Sequence, residues 1–134
     1  MLRPRAALLA LVCAVALPVT LALPVGPASA ALPTRYTTYR DASIDTPDDS
    51  GSITIKVGSN PHRIAKIVIV ARCAEGKEKL TRRNVPIRDN GIFTAAGGSR
   101  YFSIAGKFRT AHRVTGSLTT NQCGFFGGDF AAAA

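Results

Sequence analysis

The chain has 134 residues, with 17 Lys and Arg against 8 Asp and Glu and a formal charge of +9 at pH 7. That length suits one domain and excludes large catalytic scaffolds and doubly wound nucleotide-binding folds. Only 19% of the residues are charged, so the positive balance reflects a shortage of acids rather than a highly charged chain.

Residues 1–30 read as a signal peptide. Met1-Leu2-Arg3-Pro4-Arg5 is a short basic start, and Ala6 to Leu17 is an unbroken apolar run. Ala28-Ser29-Ala30 has the small-x-small form of a cleavage site, which predicts export and cleavage after Ala30. Removal of this segment takes Arg3 and Arg5 and no acid, leaving 104 residues with a net charge of +7. The expected location is secreted or extracellular, with association to the cell envelope a further option.

Residues 31–50 form a lead-in, with Tyr36 to Arg40 read as an edge strand and Asp41 to Gly51 as an acidic, turn-rich stretch. Residues 51–134 carry the predicted domain. After residue 30 the chain has 9 Ile and 5 Val against 3 Leu, together with 11 Thr. β-Branched side chains fit pleated surfaces, so this balance favours strands. Ile53, Ile55 and Val57 alternate with Thr54 and Lys56 at the period of a strand. Ile64 to Cys73 is the strongest strand, with Ile67, Ile69, Ala71 and Cys73 on one face. Lys66 and Arg72 share the other face with Val68 and Val70, as in a central strand. Ala74 to Asn84 reads as a charged connection, and Val85 to Arg88 as a short strand. Asp89-Asn90-Gly91 is the clearest hairpin turn, because Asn and Gly tolerate positive φ. Strands are predicted over Gly91 to Ala95, Tyr101 to Thr110, His112 to Thr120 and Phe125 to Ala132. The sum is an all-β chain, read as a single small antiparallel β-sandwich of about 7–8 strands with one disulfide.

Cys13 leaves with the export segment. Cys73 and Cys123 remain as an even pair in an exported chain, and a disulfide between them is the simplest reading. No Cys-x-x-Cys spacing is present, so no metal site and no cofactor are expected.

From Gly51 to Ala132 the chain resembles a family of small secreted actinobacterial-type β-sandwich proteins of unknown function. The residues that carry the likeness are Asn90-Gly91-Ile92-Phe93, Ile104-Ala105-Gly106-Lys107-Phe108 and Val114-Thr115-Gly116-Ser117-Leu118. They are followed by Cys123 and Phe130-Ala131-Ala132, where Phe130 stands in the place of a more usual Trp. The resemblance implies a sandwich held by one disulfide and implies no activity.

No enzyme is expected. His62 and His112 are the only histidines, and no Gly-x-Ser-x-Gly elbow accompanies the serines. The informative signal is charge. Arg63 to Arg83 includes Lys66, Arg72, Arg82 and Arg83, and Arg100 to Arg113 adds Arg100, Lys107, Arg109 and Arg113 with no acid. These eight are the candidate anion-binding residues, with Lys107, Arg109 and Arg113 on one outward parity. Their field would attract an anionic cell-wall polymer or membrane surface. Sequence-specific nucleic-acid readout is not expected, because Phe102 and Phe108 fall on the inward parity and leave Tyr101 alone to stack. The second expectation is a protein-interaction factor, such as an inhibitor or toxin-like protein, acting through the charged 75–84 segment.

Overall fold

The computed structural model describes residues 31–45, 49–97, 101–124 and 126–134. The predicted export segment therefore lies outside the described residues. Eight strands follow one another: β1 (Thr38–Asp45), β2 (Ser50–Val57), β3 (Arg63–Cys73), β4 (Gly76–Pro86), β5 (Ile92–Ala96), β6 (Phe102–Thr110), β7 (Arg113–Thr120) and β8 (Phe126–Ala133). All neighbours pair antiparallel, in the order β4-β3-β2-β1-β8-β7-β6-β5.

This order consists of two four-stranded meanders, β1–β4 and β5–β8, set side by side. The expected pair of separate sheets is instead one continuous sheet curled into a nearly closed barrel. The reason lies at two seams. At the first, β1 meets β8 through the single register pair Arg40↔Ala133. At the second, Ile87, just past the end of β4, forms one isolated bridge to Phe93 of β5 beside the predicted turn. Gly91 has φ +76° there, and Asn90 Oδ1 accepts the Ile92 N–H at 3.2 Å. Curling lets a small chain pair most strand edges instead of leaving four exposed.

The stretch read as a charged connection is β4, an eleven-residue strand that pairs with β3 from Cys73↔Gly76 to Arg63↔Pro86. Tyr36 to Arg40 is not an edge: β1 runs on to Asp45 and lies between β2 and β8.

The interior is packed from both meanders. Ile53, Ile55, Ile67, Ile69 and Ala71 face Phe102, Ile104, Phe108, Val114, Leu118, Phe126 and Phe130, all buried. Tyr39 and Phe108 meet edge to face at 5.3 Å between centroids, and Phe93 lies 5.7 Å from Phe108. Three inward glycines leave room for these rings. Gly51 sits beneath the Phe126 ring, Gly106 beneath Phe93 and Gly116 against Phe130. The Tyr39 hydroxyl donates to the Ala111 carbonyl, which ties the first meander to the β6–β7 turn.

Polar groups hold the first seam where its ladder stops. β1 shifts register between Asp41 and Ile44. There the Asp41 carboxylate accepts the Ala131 N–H at 2.7 Å and the Ser43 N–H and hydroxyl at 3.0 Å each. Burial opposes ionisation of Asp41, but those three hydrogen bonds outweigh it and hold its carboxyl below the ordinary value of 3.8. A lowered folded-state pKa adds stability above the unfolded pKa, which is lost as pH falls through the folded value. Asp41→Asn should therefore lower Tm at neutral pH, and its gap from the native protein should close below about pH 3.8. Thermal melts of both proteins between pH 2 and 7 provide the measurement.

Candidate functional site

The candidate site is built on the outer side of the first meander. Inward residues of β2 and β3 are apolar and buried, so the alternate positions face water. Cross-strand register then decides which of them are neighbours. Lys56 on β2 pairs with Lys66 on β3, and Lys66 pairs with Arg83 on β4. Three cations thus stand in one row across three strands, at the usual spacing of about 4.8 Å per strand. Toward the other end of the same face, Arg72 pairs with Lys77 and Val70 with Lys79. Thr54, Val68 and Thr81 lie in register between the two cationic ends.

No acid answers this charge on the outer positions of β2, β3 and β4. Glu78 is the one acid in the three strands, and it sits opposite buried Ala71, on the inward parity. Like charges directly opposite in adjacent strands oppose pairing. At physiological salt the screening length is about 8 Å, longer than the strand spacing, so water and ions relieve the repulsion only in part. The Lys56–Lys66–Arg83 row therefore works against the stability of the sheet that carries it.

The structure divides the eight residues expected to bind anions. Lys66, Arg72 and Arg83 lie on this face, joined by Lys56, Lys77 and Lys79. Arg82 does not join them. Its parity is inward, opposite Ile67, and its guanidinium donates to the carbonyls of Ala96 and Gly97 at 2.6 Å each. The same guanidinium lies 5.8 Å from the centre of the buried Phe102 ring. Arg82 thus spans the second seam, supplying side-chain hydrogen bonds where β4 and β5 have separated. Lys107, Arg109 and Arg113 lie on the outer side of the other meander. There Arg109 Nε donates to Thr115 Oγ1 at 2.9 Å. Lys107 and Arg109 border a shallow open depression floored by Gly106 and Gly116, and Asp129 also lines it. Arg100 lies outside the described residues. Arg40, on β1, shares a register row with Ala133 and Arg113 and is the outward cation between the two faces.

No family model matches this chain, and no curated protein or solved structure matches it. The site is therefore read from its own chemistry.

Both histidines are exposed at the end of the barrel that holds the β2–β3, β4–β5 and β6–β7 turns. His62 Nδ1 lies 3.5 Å from Asp89 Oδ1, an exposed contact joining two of these turns. At the opposite end, Cys73 and Cys123 form the expected disulfide, with Cα atoms 5.4 Å apart. The Asp49 carboxylate lies within 4.8 Å of both sulfurs. With those sulfurs bonded to each other, the trio offers no pair of thiolates to a metal. Gln122 is buried beside the disulfide, and among the described residues neither atom of its side-chain amide has a hydrogen-bond partner.

Lys56, Lys77 and Lys79 are not among the eight residues that the sequence marks as candidates for anion binding. The outward parity of Lys56 was legible from Ile53, Ile55 and Val57, but its alignment with Lys66 depends on register. Lys77 and Lys79 count toward the basic Arg63–Arg83 segment, but a connection has no parity, so reading β4 as one conceals their outward alignment.

Proposed function

We propose that the protein is a secreted, non-enzymatic binding protein that associates with an anionic cell-envelope polymer or membrane surface. The observation that carries this reading is the Lys56–Lys66–Arg83 row across β2, β3 and β4, whose outer positions hold no acid. A destabilising arrangement of like charges is one that an anionic ligand would relieve. Arg72, Lys77 and Lys79 extend the field along the same strands, and a repeating anion could engage both ends at once. The basic start and the Ala28-Ser29-Ala30 site support export, and the Cys73–Cys123 disulfide supports an oxidising compartment.

The test is cosedimentation with anionic phosphatidylglycerol liposomes and with isolated cell walls across a salt series. Binding should weaken steeply between about 0.05 and 0.5 M salt as the screening length shortens. The triple variant Lys56→Glu, Lys66→Glu, Arg83→Glu should lose it, while Lys107→Glu with Arg113→Glu should retain most of it. Salt-insensitive binding, or binding equal in both variants, would overturn the proposal.

A further inference from the structure

The outer wall of the second meander carries a hollow that follows from side-chain size. Phe93, Gly106, Gly116 and Phe130 form one inward row across β5, β6, β7 and β8. A methyl group at Gly106 would run into the Phe93 ring, and one at Gly116 into the Phe130 ring, so bare backbone lies against both rings. On either side of this row the outward rows are Lys107–Thr115–Ala131 and Ala105–Ser117–Asp129. Their middle members, Thr115 and Ser117, are small. The result is the open depression of about 480 Å³ floored by the two glycines, a volume in the range of small-molecule sites.

Its charged groups are divided. Half-buried Lys107 and Arg109 border it on β6, and Asp129 borders it on β8. β7 runs between, so about 10 Å of sheet separates the strand of the cations from the strand of the carboxylate. Among the described residues no ion pair joins Asp129 to either cation. The hydroxyls of Thr115 and Ser117 occupy the interval. Arg109 is placed by a bulge: β6 shifts register between Phe108 and Thr110, which leaves Arg109 without a register partner on β7. A bulge re-aims the side chain it carries. Here Nε donates to Thr115 Oγ1 at 2.9 Å, which fixes the guanidinium at the border and keeps its two terminal amino groups out of that bond.

We propose that this depression binds a sugar unit that carries one acidic group. The acid, a carboxylate or a phosphate, takes the end held by Lys107 and Arg109, where an ammonium and a fixed guanidinium give charge-assisted hydrogen bonds. The ring hydroxyls, which both donate and accept, take the Asp129 carboxylate and the Ser117 hydroxyl. A plain anion uses the first end alone, and a neutral sugar uses the second alone. The site shares no residue with the Lys56–Lys66–Arg83 row and does not rest on it.

The test is an NMR titration of the isotope-labelled protein at about 0.15 M salt, read from its amide signals. The probes are glucuronate, glucose 6-phosphate, glucose, inorganic phosphate and phosphoethanolamine. At least one of the two acidic sugars should shift the amides of Gly106, Gly116, Ser117 and Asp129 saturably, and should bind about tenfold tighter than glucose or inorganic phosphate. The order of the two acidic sugars tells a carboxylate ligand from a phosphate one. Lys107→Ala and Arg109→Ala should each weaken binding of the acidic sugar and of phosphate alike. Asp129→Ala should weaken the acidic sugar but leave phosphate binding equal or tighter, because it removes a repelling charge. The Lys56→Glu, Lys66→Glu, Arg83→Glu variant should keep the sugar titration while it loses the polymer, so the two readings fail separately. Equal affinity for glucose or inorganic phosphate, or no saturable shift at the depression, would overturn the proposal. So would tighter binding of phosphoethanolamine, which would assign Asp129 to an ammonium group instead of sugar hydroxyls.

Discussion

Removing the disulfide with Cys73→Ala and Cys123→Ala should destabilise the domain by about 4 kcal/mol. The two cysteines are 50 residues apart, and the loop-closure entropy that such a link removes from the unfolded chain has that size. For a domain of this length the loss corresponds to a fall in Tm of about 20 °C. Architecture makes the bond matter beyond its loop length. Cys73 ends β3 in the first meander, and Cys123 sits in the turn between β7 and β8 in the second. β3 and β8 are not neighbours: β2 and β1 stand between them. The bond is therefore a chord across one end of the barrel. The adjacent β1–β8 seam has one register pair, at Arg40↔Ala133 near the opposite end. Calorimetry of the native protein, the double alanine variant and the reduced native protein measures the effect. A loss below about 1 kcal/mol would mean that the seams hold the halves together unaided.

Gly116→Ala should cost about 3 kcal/mol, near the upper part of the range for an overpacked core. A methyl group at Gly116 would press on the Ala105 carbonyl oxygen, and it would lie 2.7 Å from the Gly106 Cα and from the tip of the Phe130 ring. Two of those three atoms belong to the backbone of β6, which pairs with β7 on both sides of the contact. A side chain can swing away, whereas a strand held in its ladder can move only by breaking pairs. Gly58→Ala provides the contrast. Its new methyl would meet only the Ala65 Cβ at 3.5 Å, an ordinary contact. That variant should stay within about 1 kcal/mol of the native protein. Urea titrations of the two variants give the comparison directly.

Much of the fold is written in the alternation of its strands. Ile53, Ile55 and Val57 announce β2, Ile67, Ile69 and Ala71 announce β3, and Asn90-Gly91 announces the turn before β5. The interior needs apolar residues at every second position there, and the chain supplies them. β4 escaped that reading because it borders a seam. Its inward positions include Glu78, Leu80 and Arg82, and an inward position beside an opening has no closed core to fill. Without the apolar stripe, the strand looks like a polar linker. The seams themselves were not legible, since pairing across them depends on how two meanders dock. The candidate site was legible as composition but not as geometry. Lys66 and Arg83 are separated by 17 positions in sequence, and only a hairpin register makes them adjacent. The same register converts Arg82, one position away, from a surface cation into a bridge between β4 and β5.

The order of the strands also has a kinetic consequence. Within each meander, every pairing joins strands consecutive in the chain, the kind of contact that forms early because little loop entropy opposes it. The β1–β8 pairing is the exception. Arg40 and Ala133 lie 93 residues apart. Folding of this chain therefore divides into two local, quick assemblies and one slow meeting between them. Contact order therefore predicts that docking of the two meanders is the slower step, and that a Cys73–Cys123 bond formed beforehand would lower its entropy cost.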